Sequence, residues 1–231
     1  MIPKVVHYVW LSGEEMPELN RKCVESWQRV LNGYELRRWS LADVEAFSLP
    51  FVSEAVREKK WAFATDCLRA EILLREGGIY LDSDVYLYKD FDGCLDNRFF
   101  SCIEFHHDSK AAAIQAACMG AEPGHPLMRS CAAYYRERHF VRPDGSPETQ
   151  ELAPDVYAAA VRSFGFDPSS PTEQHLREGI RIYDRSLVAG TPWEIAEDNV
   201  GVHMCAGSWR DMDGAEQKWY SALKLRMTVR P

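Results

Sequence analysis

Aspartates separated by a single residue occur three times in this chain, and each such pair could hold a divalent cation. The pairs are Asp82 with Asp84, Asp90 with Asp92, and Asp211 with Asp213. Two carboxylates at this spacing in a turn can both reach one hard cation. The spacing alone is weak evidence, because aspartate is common in turns, where its side chain bonds nearby backbone. Only the first pair directly follows a Gly-Gly-strand unit that a charged helix precedes. Asp82 and Asp84 are therefore the predicted cation site.

A cation at this position would suit a ligand that carries phosphate. In an open α/β sheet, ligands collect at the carboxyl ends of the strands, and Asp82 follows the apolar run 79–81. The cation can hold a diphosphate that the negative charge of the chain would otherwise repel. It can also act as a Lewis acid while negative charge grows on a departing phosphate.

The helix before this strand carries an acidic and a basic residue on one face. Asp66 and Arg69 are three positions apart, which places them side by side on a helix. A surface ion pair of this kind stabilises a protein by less than about 1 kcal/mol. The surrounding helix is largely apolar, however, which favours a pair held in place for a function. Arginine can brace a phosphate or a sugar hydroxyl, and aspartate can accept hydrogen bonds from hydroxyls.

The elements that must position these residues follow from apolar spacing and turn residues. A short helix is predicted after Ser40, which can cap it, and it ends before Pro50. The alternation of strands and helices in the first half, with strands clustered later, predicts an α/β fold with a mixed sheet. The other strands are predicted at 5–10, 34–39, 79–81, 85–88, 99–105, 113–119, 180–183 and 200–204, and the other helices at 15–31, 60–76, 126–139, 154–164 and 214–227.

The composition limits the partners and the environment. Lys and Arg total 27 against 35 Asp and Glu, a net charge of -8, which argues against nucleic acid as a partner. Seven scattered cysteines without a C-x-x-C pair favour a reducing compartment. No apolar run approaches the roughly 20 residues of a membrane helix, and the first ten residues read as a strand rather than a signal peptide. The predicted location is cytoplasmic.

Five ordered blocks of sequence resemble glycosyltransferase family 32, the family with the DXD sugar-binding region. They are similar also to the catalytic domains of large clostridial glucosylating toxins. Five blocks in order are far more specific than any one motif, and they span nearly the whole chain. The blocks read IPKVVHYVW at 2–10, AFATDCLR at 62–69, GGIYLDSD at 77–84, MGAEPGHP at 119–126, and His203 with GSW at 207–209.

The resemblance implies a GT-A fold, a Rossmann-like mixed sheet flanked by helices, in a single domain over 1–231. It implies Mn²⁺ or Mg²⁺ at the aspartate pair. Asp84 is expected to bind the metal most directly, and Asp82 to contact the donor ribose or sugar, or the metal through water. His203, at the end of a late strand, could complete the metal shell, because imidazole accepts such ions. A structural histidine is the alternative at that position.

The resemblance also implies a set of donor-binding residues. Trp10 is expected to stack on the nucleotide base, for which a flat indole face is suited. Ser208 and Trp209 look like a phosphate clamp, since a hydroxyl and an indole N–H can both donate; a helix cap followed by a core aromatic is the alternative. Family members commonly carry Asn where this chain has Gln115, so the donor sugar stays open. The expected donor-binding set is Trp10, Asp66, Arg69, Tyr80, Asp82, Gln115, Ser208 and Trp209.

The implied activity is metal-dependent transfer of a sugar from a nucleotide-sugar, UDP-sugar favoured over GDP-sugar, to an acceptor hydroxyl with retention of anomeric configuration. Asp82, Asp84 and Arg69 form the expected catalytic set. Glu104, near the end of a strand, is a hypothetical acceptor-side carboxylate. The acceptor is expected to be a glycan or a lipid-linked glycan, in the synthesis of surface polysaccharide.

Two other functions compete with this interpretation. Phosphohydrolases that form an aspartyl-phosphate also place Asp-x-Asp after an apolar strand, but Tyr86 fills their Thr or Val position and no Asp-Asp pair follows. The second is a sugar-nucleotide-binding protein without turnover.

The basic, aromatic stretch 219–230 could touch an anionic membrane surface at the inner face. An ordinary amphipathic terminal helix is the alternative.

Overall fold

The computed structural model describes residues 1–45, 47–105, 112–146, 148, 150–206 and 214–229. Its helices are α1 (Glu18–Val30), α2 (Leu41–Glu45), α3 (Pro50–Arg57), α4 (Trp61–Glu76), α5 (Pro126–Arg136), α6 (Ala153–Arg162) and α7 (Gly214–Thr228). Its strands are β1 (Val5–Val9), β2 (Glu35–Trp39), β3 (Gly78–Leu81), β4 (Val85–Leu87), β5 (Phe99–Phe105), β6 (Ala112–Ile114), β7 (Cys118–Ala121), β8 (Gln174–Leu176), β9 (Ile180–Tyr183), β10 (Val188–Ala189) and β11 (Gly201–His203).

A mixed sheet in the order β2-β1-β3-β7-β5-β9-β8, with β6 on β5, forms the centre of the described chain. The first three strands of this order are mutually parallel, whereas β7 runs antiparallel to both of its neighbours. Because parallel strands end at one edge, Trp10 after β1 and Asp82 after β3 emerge on the same side. A second sheet, β10-β11-β4, is connected to β3 through residues 82–84, which precede β4. The predicted mixed α/β sheet flanked by helices is confirmed.

Helix α4 is packed on nearly all sides, which explains its apolar sequence. It contacts α3 and α5 as well as the sheet strands β1 and β3. The helix ends at Gly77, whose φ is 66°. A Cβ atom at Gly77 would lie 2.6 Å from Pro123 Cδ, and one at Gly78 would lie 2.6 Å from the Val5 carbonyl oxygen. The Gly-Gly pair is therefore required for the close turn that leads α4 into β3.

The predicted strand at 113–119 is wrong, because the chain breaks into β6 and β7 around three non-strand residues. The backbone N–H of Gln115 donates to Cys102. The next two carbonyls turn toward the site: Ala116 accepts from Arg69, and Ala117 accepts from the Asp82 N–H. The break between β6 and β7 therefore coincides with the carbonyls that accept from Arg69 and Asp82.

Proline determines where two helices begin. The predicted helix at 15–31 starts only at Glu18, because the preceding Pro17 is extended, with ψ of 153°. Pro50 opens helix α3, which the sequence analysis missed, and proline is well suited to a first helical position. Ser40 lies at the N-cap position of α2, as predicted, and its own N–H and hydroxyl both donate to the Asp43 carboxylate, as in one half of a capping box.

The described residues contain no helix whose length and apolar character would allow it to span a membrane. All seven cysteines are free thiols, and six of them are buried.

Candidate active site

A cleft of about 1030 Å³ opens at the edge of the sheet where β1 and β3 end. Its floor carries Asp82 and Asp84. One wall comes from α4 and the residues before α6, including Trp61 and Leu152, and the other comes from α1 and α7, including Leu225. This volume is at the upper end of the usual range for a small-ligand pocket. The cleft is therefore large enough for two small ligands.

Asp82, Asp84 and His203 form a group of candidate metal ligands. One ligand atom from each lies within 4.8 Å of the others. A tight turn after β3, closed by the Val85 N–H donating to the Asp82 carbonyl at 3.0 Å, sets the two carboxylates together. Strand β11 runs antiparallel to β4 with His203 opposite Val85. The Met204 N–H then donates to the Asp84 carbonyl at 2.9 Å, which holds β11 against the turn.

Asp84 and His203 shift each other's pKa toward the charged forms. The Asp84 carboxylate accepts from the Ala206 N–H at 2.7 Å through Oδ2, and its Oδ1 lies 3.5 Å from His203 Nε2. Burial alone would raise the pKa of Asp84, but His203 and the Ala206 N–H lower it to about 2. Burial alone would lower the pKa of His203, but Cys205 and Asp84 on either side raise it above its usual value.

These ligand types fit a divalent cation. Two carboxylates supply two negative charges, and imidazole is a ligand for first-row transition metals. Asp84 is only 9% exposed, and desolvated carboxylates this close together are stabilised by a cation between them. Asp84, Asp82 and His203 are therefore the described residues that could hold a metal.

Arg69 connects α4 to the floor of the cleft and is buried. Its Nη2 lies 2.7 Å from Asp66 Oδ1 and 3.2 Å from Asp82 Oδ1, and its Nη1 donates to the Ala116 carbonyl at 2.6 Å. Burial raises the pKa of Asp66 to about 7, with Arg69 opposing this shift and Asp82 adding to it. Asp66 and Arg69 are therefore not a solvated ion pair on the surface.

Tyr80 fixes the orientation of Asp82. Its hydroxyl donates to Asp82 Oδ1 at 2.9 Å, and the Arg69 guanidinium lies 4.9 Å from the centre of its ring. Burial, and then the Asp82 charge, raises the pKa of Tyr80. The hydroxyl therefore stays protonated and continues to donate.

The remaining predicted donor residues are distributed unevenly. Trp10 lines the cleft, and its Nε1 donates to the Glu14 carbonyl at 2.8 Å. The Gln115 side chain is fully buried, accepts from Cys102 Sγ at 3.3 Å, and is not among the described residues that line the cleft. Ser208 and Trp209 lie outside the described residues.

Two residues of the site were not predicted from the sequence. Asn20 donates to the Ser83 hydroxyl at 2.9 Å, inside the Asp-Ser-Asp turn. The sequence offered one sign of this role: Asn20 is a polar residue next to Leu19, which lies with Trp27 on the apolar side of the helix. Cys205, whose Sγ lies 3.5 Å from His203 Nδ1, carried no signal in its spacing.

The sheet and the cleft define the GT-A class of glycosyltransferase fold. The apo form of the glycosyltransferase GlyE of Streptococcus pneumoniae TIGR4 has this fold, with a TM-score of 0.51 and 9% identity, over 98% of this chain and 63% of that one. The family model for capsular polysaccharide synthesis protein matches residues 1–139, and the chain belongs to that family. The predicted GT-A fold is confirmed, as is the glycosyltransferase class at the level of family and fold.

Two curated relatives are similar to parts of the chain. One is an uncharacterised glycosyltransferase of Acanthamoeba polyphaga mimivirus, 26% identical over 171 residues, which cover 71% of this chain and 66% of the relative. The other is Subversion of eukaryotic traffic protein A of Legionella pneumophila, 29% identical over 111 residues, which cover 36% of this chain and 17% of the relative. The chain thus spans less than two thirds of either relative.

Proposed function

We propose that this chain is a metal-dependent glycosyltransferase that moves a sugar from a nucleotide-sugar to an acceptor hydroxyl. The observation that carries the proposal is the convergence of Asp82, Asp84 and His203 on the floor of a cleft at the strand ends. The glycosyltransferase fold and the family membership support it. The finer assignment to glycosyltransferase family 32, as a single domain over 1–231, is part of the same proposal.

In this mechanism, Asp84, His203 and Asp82 would hold Mn²⁺ or Mg²⁺, which would supply Lewis acidity for the departure of the diphosphate. Arg69 keeps Asp66 and Asp82 aligned through its fixed guanidinium fork, so that Asp66 can accept hydrogen bonds from the donor sugar. We favour retention by front-face attack, in which the leaving phosphate oxygen takes the proton of the acceptor. No described side chain is assigned as a nucleophile.

The donor is proposed to be a UDP-sugar rather than a GDP-sugar. Trp10, partly exposed at the mouth of the cleft, offers an indole face for the base. Ser208 and Trp209 are proposed to hold the diphosphate, as the family resemblance implies. Gln115 is proposed to influence the choice of sugar; because its side chain is buried, it would do so from behind the cleft wall.

The acceptor is proposed to be a glycan or lipid-linked glycan in capsular polysaccharide synthesis, a setting that the family membership supports. Glu104 lines the cleft together with Leu152 and Pro154 from the start of α6. These residues are proposed to face the acceptor, while the donor is proposed to occupy Trp10, the aspartates and Asp66. Glu104→Gln should raise the acceptor KM, and full transferase activity in that variant would exclude the role.

The location is proposed to be cytoplasmic, with peripheral contact at the inner face of the membrane through α7. Arg226, Met227 and Val229 are exposed near the end of that helix, and this supports a contact with anionic lipid. Sedimentation with phosphatidylglycerol vesicles tests the contact, and recovery of the protein in the supernatant would argue against it.

The test of function is donor hydrolysis without an acceptor, in a panel of UDP- and GDP-sugars with Mn²⁺ or with EDTA. Activity should be lost in EDTA and in Asp84→Asn. Asp92→Asn is the matched control, because Asp92 belongs to another Asp-x-Asp pair and is half-exposed beside Lys4 and Tyr34. Activity that persists in EDTA and in Asp84→Asn would exclude the metal mechanism.

The same assay separates the two competing functions. Tight, metal-dependent donor binding without any hydrolysis would favour a sugar-nucleotide-binding protein. Trapping of a phosphorylated Asp82 would favour a phosphohydrolase.

A further inference from the structure

The two ring nitrogens of His203 face different partners. Nε2 lies 3.5 Å from Asp84 Oδ1, on the side where a cation would be held, and Nδ1 lies 3.5 Å from Cys205 Sγ. A histidine that binds a metal through Nε2 carries its proton on Nδ1, and a hydrogen-bond acceptor at Nδ1 fixes that tautomer. The residue that accepts from Nδ1 therefore determines whether Nε2 is available.

The protons around Cys205 can be assigned by counting donors and acceptors. The thiol has one proton and is a weak donor and a weak acceptor. Its Sγ lies 3.2 Å from the Gly190 carbonyl oxygen, which can only accept. With the thiol proton directed to Gly190, the sulfur lone pairs face His203 Nδ1, and that nitrogen must be the donor.

The backbone holds Cys205 in a conformation that L-residues rarely adopt. Its φ is 46°, in the left-handed region that is unfavourable for a non-glycine residue. The Cys205 carbonyl accepts from the buried Lys224 ammonium of α7 at 2.6 Å. The next N–H, that of Ala206, donates to Asp84. Contacts on both sides of the residue thus maintain the strained conformation and direct the thiol toward His203.

We propose that Cys205 is a positioning residue that holds His203 with Nε2 directed at the cation. The inference rests on the proposed metal-dependent function. Loss of the sulfur leaves Nδ1 without its acceptor, so that the ring can rotate or carry its proton on Nε2. Metal affinity should then fall although Asp82, Asp84 and His203 are all present.

The experiment measures Mn²⁺ affinity of the full chain by electron paramagnetic resonance. Cys205→Ala should weaken binding about tenfold, the lower end of the effect of losing such a partner, because a thiol is a weak acceptor. Cys205→Gly should show the same loss although it relieves the backbone strain. Cys205→Ser should regain most of the affinity, since a hydroxyl also accepts. In Mg²⁺, ¹⁵N shifts should report protonated Nδ1 in the wild type and the Ser variant.

Wild-type affinity in both Cys205→Ala and Cys205→Gly would overturn the inference, as would unchanged ¹⁵N shifts in the Ala variant. Asp84→Asn separates this result from failure of the proposed function. If Asp84→Asn loses Mn²⁺ and Cys205→Ala does not, only the inference fails. If the wild type and Asp84→Asn bind Mn²⁺ equally, the metal site itself fails, and the inference with it.

A second measurement avoids any folding defect in the variants. Cys205 is partly exposed, whereas the other six cysteines are buried. Iodoacetamide should therefore alkylate Cys205 first in the folded protein, which mass spectrometry can verify. Alkylation should weaken Mn²⁺ binding by at least the factor seen in Cys205→Ala, and unchanged affinity of the alkylated protein would contradict the proposal.

Discussion

Arg69 Nη2 lies 3.2 Å from Asp82 Oδ1, so a carboxylate of the candidate metal site is already held by a buried guanidinium. The same oxygen accepts from the Tyr80 hydroxyl. Asp84 Oδ1, by contrast, faces His203. A carboxylate that shares its charge with arginine attracts a cation less strongly. The geometry therefore supports Asp84 as the principal ligand and Asp82 as a weaker or water-mediated one.

Arg69→Met should destabilise the protein by about 3–5 kcal/mol, because it leaves two carboxylates in a buried site without their counter-charge. Arg69→Lys should cost less but still weaken the site, since an ammonium cannot reproduce the planar fork. Urea unfolding measures both changes. Arg98→Met is the control: Arg98 forms ion pairs with Glu122 and Glu178 but is 44% exposed, so its loss should cost less than about 1 kcal/mol. Equal effects at positions 69 and 98 would contradict the buried role.

Tyr80→Phe should lower the free energy of unfolding by about 1.5–3 kcal/mol, the range for a hydrogen bond to a charged group. It should also weaken Mn²⁺ binding, because Asp82 loses one of the contacts that orient it. Thermal unfolding and electron paramagnetic resonance measure the two effects. Tyr157→Phe is a matched control, because the buried Tyr157 hydroxyl has no hydrogen-bond partner in the part of the chain that the structure describes. A larger loss in Tyr157→Phe would show that the Tyr80 bond is not the cause.

The sequence predicted the parts of the site that local rules determine. The Gly-Gly pair after α4 marks a turn that only glycine fits, and the apolar run that follows is β3, with Asp82 at its end. Both signals lie within ten residues of the aspartates. The spacing of Asp66 and Arg69 likewise predicted that both lie on one face of α4, although it did not predict the residues that Arg69 contacts.

The parts that failed depend on contacts between distant segments. The break between β6 and β7 coincides with bonds from Arg69 and Asp82 to Ala116 and Ala117. Both partners lie far away in the chain, so the local sequence does not reveal them. The approach of His203 to Asp84 requires the β4–β11 pairing, and only the family resemblance suggested it. Strands β8 and β10 have three and two residues, which is too short to show the alternating apolar pattern of a strand.

Trp10→Leu should weaken UDP binding in Mn²⁺ by about 5- to 150-fold, because a base stacked on an aromatic ring is worth about 1–3 kcal/mol. Trp10→Phe should retain most of the affinity, since it keeps an aromatic face. Isothermal titration calorimetry measures both. Trp193→Leu is the control: this indole is 51% exposed and stacks on Tyr220 rather than lining the cleft. Unchanged UDP affinity in Trp10→Leu would remove Trp10 from the donor site.

His7 should make the protein less stable as the pH falls from about 6.5 to about 4. The buried ring accepts from Trp39 Nε1 at Nδ1, 3.1 Å away, and donates from Nε2 to the Gly77 carbonyl at 3.0 Å. Both nitrogens are thus satisfied in the neutral form. Burial lowers the pKa of His7 to about 4, with the Gly77 bond opposing this shift and Arg37 adding to it.

The sign of this pH dependence follows from the number of protons that His7 binds in the folded and in the unfolded chain. Between about pH 4 and 6.5 the unfolded chain binds a proton at His7 that the folded chain does not, so the free energy of unfolding rises with pH. From pH 7 to pH 5 the wild type should lose about 2 kcal/mol through this residue. His7→Gln should be less stable at pH 7 but should lack this component of the pH dependence. Urea unfolding at both pH values measures it, and equal losses in the wild type and the variant would rule out a neutral, buried His7.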